Sequence, residues 1–271
     1  MDLRQDTVSL EVGGVPLRGL AYQPALEPAG PRRGVVLCDP FAEEKKSAAS
    51  TLAALARALA AGGLWAWHFD YRGTGDSGGE FADFTLEDWR EDVGAAVDFA
   101  RVVGQVEEVG LLGLRLGATL AAELAGHLRP WRVVLWEPLR DGERYVRELR
   151  QRATIKSMLT EAEGEAPAAP TPAPGEGLDY GGYLLTPRVL EELSALRLAP
   201  LAEAGCPVLL VECTARGQVS AAGQALVAGA PLAEARALSL EPFWQRVGLV
   251  DTSRLVEMTR EWLAEGPPHP L

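Results

Sequence analysis

Histidine and cysteine are scarce in this chain, three of each among 271 residues, and that scarcity rules out more than the abundant residues do. Cys38, Cys206 and Cys213 are odd in number and widely spaced, with no Cys-x-x-Cys and with the histidines elsewhere. Neither a disulfide framework nor a zinc pattern is present, so the three read as reduced core thiols of a cytoplasmic protein. No metal or organic cofactor is signalled. No apolar run of about 18 residues is available to span a membrane, and the opening Met-Asp-Leu-Arg-Gln-Asp lacks the apolar core of a signal peptide. Positive charge is also in deficit. The 26 Lys and Arg against 38 Asp and Glu leave a net charge of -12, which argues against a nucleic-acid or anionic-membrane partner. A local basic pocket stays compatible with that total.

What is abundant is core material: 47% of the residues are apolar and 24% charged, as in a globular protein with a full interior. The length suits one large α/β domain, or one domain carrying an insertion. Residues 7–12 and 15–22 flank the turn signal Gly13-Gly14 and read as a hairpin. The apolar run 34–39 is a buried parallel strand. From there helix and strand alternate: helix 47–61 with Ser47 as its N-cap, strand 64–70, a capping-box helix opening at Thr85-Leu-Glu-Asp88, and strand 108–112. A helix 118–127, strands 131–137, 207–212 and 235–240, and a closing helix capped by Asp251 complete the pattern. An antiparallel hairpin followed by β-α units predicts a doubly wound, mostly parallel sheet. The alternation breaks over 139–200, where a charged helix 142–163, an Ala/Pro-rich stretch 166–175 and a short helix 187–196 follow one another. Residues 1–138 and 201–271 therefore form the core, and 139–200 a cap over the strand ends, with 166–175 flexible.

Two motifs sharpen the fold. Gly113-Leu-Arg-Leu-Gly117 lies between a predicted strand and a predicted helix, the context in which G-x-S-x-G forms a nucleophile elbow. Here the glycines are present and the middle residue is Arg115, whose permanently protonated guanidinium cannot act as a nucleophile. The turn Asp70-Tyr-Arg-Gly-Thr-Gly-Asp-Ser77 is similar to the Asp-x-Arg-Gly-x-Gly-x-Ser turn of many α/β-hydrolases. That similarity implies an α/β-hydrolase fold, a structural Asp70–Arg72 pair, and oxyanion-hole N–H groups from Leu116 and from the loop after the preceding strand, at Phe41.

The chain resembles the second type of hydrolase-like protein encoded with exosortase A systems. The resemblance rests on Pro40-Phe-Ala-Glu-Glu-Lys45, His68-Phe-Asp-Tyr-Arg-Gly-Thr-Gly-Asp-Ser77 and Gly113-Leu-Arg-Leu-Gly-Ala118. Trp136-Glu-Pro138 and Pro242-Phe-Trp-Gln245 add to it. It implies exopolysaccharide and PEP-CTERM sorting loci and no particular reaction.

A triad is not legible. The loop after the last strand, Glu241-Pro-Phe-Trp-Gln-Arg246, has no histidine. His68 sits inside a strand, His127 lies roughly 18 Å along a helix from Arg115, and His269 is in a Pro-rich tail. The expected acid after residue 212 is replaced by Cys213-Thr-Ala-Arg, and Glu137 occupies an alternative acid position with no histidine to orient. Triad members act as a unit, so their joint loss points to a pseudoenzyme.

Three roles stay open. Arg115 at a helix start offers a site for a small anionic ligand, a carboxylate, phosphate or acidic sugar; equally, it forms an internal salt bridge with Glu43, Glu44 or Glu137. An ester or thioester hydrolase, or an acyltransferase, would have to use Ser47, Ser77 or Cys38. A third role is docking of a protein partner. The seven tryptophans sit mostly in predicted strands and helices and read as core.

Overall fold

The computed structural model describes residues 4–24, 30–162, 177–246 and 248–265. The stretch 166–175 and His269 lie outside these residues.

Strands β1 (Gln5–Val12) and β2 (Val15–Tyr22) form the expected hairpin. They join β3 (Arg33–Cys38), β4 (Trp65–Asp70), β5 (Glu108–Leu114) and β6 (Val133–Trp136) in a single sheet. Two strands near residues 178–185 pair only with each other, β7 (Leu178–Asp179) and β8 (Leu184–Leu185). The main sheet is completed by β9 (Val208–Thr214) and β10 (Ala233–Ser239). Its order is β1-β2-β4-β3-β5-β6-β9-β10, antiparallel through β2–β4 and parallel beyond, with β1 and β10 as its open rims. This is the α/β-hydrolase fold.

Side chains alternate between the two faces of the sheet. Val35 and Leu37 pack with helices α1 (Glu43–Ala61) and α7 (Ser253–Ala264); Val36 and Cys38 face the cluster built on α2 (Leu86–Val102) and α3 (Leu116–Leu128). The α2 start is the predicted capping box, with Thr85 and Asp88 bonded reciprocally. Six tryptophans are buried, and Trp131 is half-buried beneath the Arg33 guanidinium.

Between β6 and β9 run α4 (Gly142–Ala162), the β7–β8 pair and α5 (Pro187–Ala195). Tyr145, Leu149, Val189 and Leu193 extend the α2/α3 cluster, so this segment packs onto the sheet body. The short helix α6 (Ala221–Val227) connects β9 to β10, N-capped by Ser220.

Two local expectations fail. Helix α1 begins at Glu43, not Ser47: Ala42 turns the chain with φ 50°, and Glu43 and Glu44 suit the positive end of a helix dipole. Ser47 thus lies inside the helix. The closing helix is capped at Thr252, with the Asp251 carboxylate accepting from Ser253 N two residues on.

Candidate functional site

The parallel strands end along one edge of the sheet, and the tips of three adjacent ones are strained. Ala42 beyond β3 (φ 50°), Arg115 beyond β5 (φ 56°, ψ -118°) and Glu137 beyond β6 (φ 48°) all have left-handed φ without being glycine. Such conformations cluster where surrounding structure enforces a functional geometry. At Arg115 the enforcement is visible. A Cβ on Gly117 would stand 2.2 Å from Cys38 O and 2.4 Å from Asp39 O; one on Gly113 would stand 2.3 Å from Gly117 C and O. Strand, helix and neighbouring loop meet backbone to backbone, and Arg115 N is fixed by Trp136 O at 2.9 Å. The elbow is intact, and an arginine sits at its apex.

The Arg115 side chain is 11% exposed and runs to Glu44, with Nε 3.3 and 3.4 Å from the two carboxylate oxygens. Glu44, on the first turn of α1, is buried and accepts also from Tyr145 Oη at 3.3 Å and Arg152 Nη1 at 3.5 Å. The guanidinium carbon lies 5.4 Å from the centre of the Tyr145 ring and 5.5 Å from that of Trp244. Burial, the largest single influence, pushes the guanidinium pKa down, but Glu44 together with Tyr145, Glu137 and Glu148 outweighs it and the net shift is upward. Arg115 is therefore cationic at any ordinary pH.

Of the expected neighbours, Glu44 is the one in contact. Glu43 pairs with Lys46 at 3.0 Å. Glu137 accepts from Cys213 N at 2.5 Å; burial raises its pKa, opposed by that N–H and by Arg115. Leu116 opens α3 beside the elbow, and the Phe41 ring packs among Phe81, Trp89 and Tyr145.

The acid and base positions are filled differently. Glu212, near the end of β9, is paired with Arg140 and accepts from Ser220 N at 2.6 Å and Ser220 Oγ at 2.8 Å, which binds its carboxylate to the start of α6. The loop after β10 does reach the elbow, but the side chain it delivers is the Trp244 indole. His127 is exposed on the last turn of α3.

His68 belongs to a cluster that sequence reasoning missed. Its Nε2 lies 2.5 Å from Asp39 Oδ1, Lys45 Nζ lies 2.5 Å from Asp39 Oδ2, and Lys45 bonds also to Asp70. The expected Asp70–Arg72 pair is not formed. Asp70 turns to Lys45 and to Asp76 N, while Arg72 pairs with Asp92 at 2.5 Å and with Glu91 at 3.0 Å. The arginine is taken by the carboxylates of α2, and the aspartate by a lysine of α1. The His68–Asp39, Lys45–Asp70 and Arg72–Asp92 contacts cross 29, 25 and 20 positions, beyond the reach of a short motif.

The substitute nucleophiles are held elsewhere. Ser77 Oγ donates to Asp70 O at 2.6 Å and accepts from Arg18 N at 2.8 Å. Cys38 is fully buried and its thiol is pushed well up by burial and by Asp39. Among the described residues no group of three or more His, Cys, Asp or Glu is arranged to hold a metal ion.

Residues 29–162 match the family model described as serine aminopeptidase, S33. No curated protein matches the chain. Among solved structures, Est1E of Butyrivibrio proteoclasticus bound to ferulic acid is 17% identical, with 94% of this chain and 97% of that one covered at a TM-score of 0.69. The enol-lactonase of Burkholderia xenovorans LB400 is 18% identical over 95% and 100%, at 0.62. An esterase of Pyrococcus furiosus is 14% identical over 96% and 89%, at 0.65. With the sheet order, the intact elbow and these likenesses together, the chain is an α/β-hydrolase-fold protein with an arginine at the nucleophile elbow.

Proposed function

We propose that this chain does not hydrolyse by a triad and that its elbow is a binding site for a small anionic ligand, a carboxylate, phosphate or acidic sugar. The observation that carries the reading is the Arg115 guanidinium at the elbow apex, 3.3 Å from Glu44 and faced by Trp244 instead of an imidazole. A serine there would need a base to take its proton, and removal of any member of a triad lowers the rate by orders of magnitude. A guanidinium beside a helix start offers instead a fixed fork of donors for an oxyanion. The setting we propose is the one its motifs resemble, an exosortase A and exopolysaccharide locus, with the protein in the cytoplasm. Its unpaired cysteines support that compartment, and a protein partner is compatible with the acidic surface.

A second reading, ester or thioester hydrolysis by displaced residues, draws on the named activities of the structural neighbours. One experiment separates the two. Purified protein is assayed on an ester and thioester panel and titrated with acetate and inorganic phosphate, beside Arg115→Ala and Ser47→Ala. Silence on the panel with anion binding lost in Arg115→Ala supports the first reading. Turnover that survives Arg115→Ala and is lost in Ser47→Ala establishes the second.

A further inference from the structure

We infer that Arg152, on α4, is the second cation of the Arg115 site, and that the pair takes one carboxylate from outside in addition to that of Glu44. The inference rests on the reading of Arg115 as an anion receptor and adds to it a residue and a ligand class.

The argument is one of charge. Glu44, 1% exposed, is the carboxylate within ion-pair distance of both guanidiniums, 3.3 Å from Arg115 Nε and 3.5 Å from Arg152 Nη1. Two permanent cations thus share one anion. Two other acids act on Arg115 from beyond contact distance: Glu148, which is paired with Arg144 Nε at 3.0 Å, and Glu137, which is tied down by the Cys213 N–H and makes no contact with either guanidinium. Tyr145, which donates to Glu44, and Tyr180, bonded to Arg152, are phenols whose pKa values burial pushes up, so they bring no counter-charge. Among the described residues in contact with the two guanidiniums, the count is one negative charge short.

Geometry agrees. The contacts to Glu44 are all longer than the ~2.7–2.9 Å of a good charge-assisted bond, so neither arginine is saturated by it. Arg115 meets Glu44 through Nε, and its two Nη groups have no acceptor among the described residues. Arg152 is 29% exposed, which leaves a route from solvent. A missing single charge calls for a monoanion. A carboxylate balances the pair, whereas a phosphate dianion beside Glu44 would exceed it. The Tyr145 and Trp244 rings against the Arg115 guanidinium supply an apolar wall for the body of such a ligand.

The test is titration of the full chain with acetate, and separately with inorganic phosphate, followed by NMR. Arg152→Gln should weaken acetate at least about tenfold, the loss of one charge-assisted contact, and Arg152→Lys should restore most of it. Glu44→Gln should bind acetate more tightly; if it proves unfolded, added acetate should refold it by supplying the absent charge. Acetate binding unchanged in Arg152→Gln overturns the inference and leaves the receptor reading standing. Tighter binding of phosphate than of acetate overturns the carboxylate class. A Glu44→Gln protein that neither gains affinity nor is rescued by acetate overturns the charge argument. Failure of the parent protein to bind either anion overturns both the inference and the reading beneath it.

Discussion

The Trp244 indole faces the Arg115 guanidinium across 5.5 Å, so the loop after β10 approaches the apex of the elbow with an aromatic ring. Geometry that serves proton transfer in a hydrolase here holds a cation against a π-face, a contact worth about 0.5–2 kcal/mol when shielded from water. Four parts of the chain meet there, because Glu44 of α1 and Tyr145 of α4 touch the same guanidinium as the loop after β10.

Restoring the serine alone should therefore fail. Arg115→Ser is expected to stay inactive on activated esters, with no base to deprotonate it, and to lose about 1.5–3 kcal/mol because Glu44 gives up one charge-assisted partner and keeps Arg152 and Tyr145. Ester turnover and thermal melting measure the two effects. Measurable hydrolysis by the single variant would show that a base is within reach.

The glycines at the elbow should be irreplaceable while an ordinary helix glycine is not. Gly117→Ala drives a methyl into two backbone carbonyls that cannot move aside, and should lose at least about 3 kcal/mol or fail to fold. Gly94→Ala, in the middle of α2 with open space around it, should instead gain about 0.4–1 kcal/mol. Denaturant melts of the two variants side by side decide it.

Acid should act through Asp39. Burial alone pushes this carboxyl up, but His68 and Lys45 outweigh it and hold it at about 2, below its ordinary 3.8. Its contribution is fully present above 3.8 and is lost as the pH falls toward 2, amounting to about 2 kcal/mol. Asp39→Asn should flatten the stability curve in that window, as read by melts at stepped pH. A curve of unchanged slope would place the acid sensitivity elsewhere.

Thiol chemistry should be slow. Burial raises Cys38 well above the usual thiol range, Cys213 to about 12 and Cys206 to about 11. Native protein should resist iodoacetamide at neutral pH and take up three equivalents once unfolded, counted by mass.

Local pattern revealed much of this architecture. The glycines of the elbow, the capping box at Thr85 and the hairpin around Gly13-Gly14 are short-range signals, and each appears where its spacing places it. Absence of a histidine after β10 was equally plain. What stayed hidden is what depends on distant segments meeting. Arg152 and Tyr145 reach Glu44 across 108 and 101 positions, and nothing in the charged stretch of α4 marks these two side chains among its many polar ones. Trp244 read as core, and it is buried; its contact with Arg115 emerges only once β10 lies beside β9. Ser47 misled because a good capping residue is weak evidence when Ala42 has already turned the chain and two glutamates follow. The Asp70–Arg72 expectation failed for a related reason, since Asp92 and Lys45 arrive from other helices and offer closer partners.

The sheet leaves β10 as an open rim, and that rim carries an ion pair, Arg236 with Glu234 at 3.1 Å. A stray strand hydrogen-bonding along β10 would have to strip water from both charges, so they act as gatekeepers against edge-to-edge aggregation. Neutralising the two together would leave the rim from Ala233 to Ala237 without a charge and lower the barrier to pairing along it.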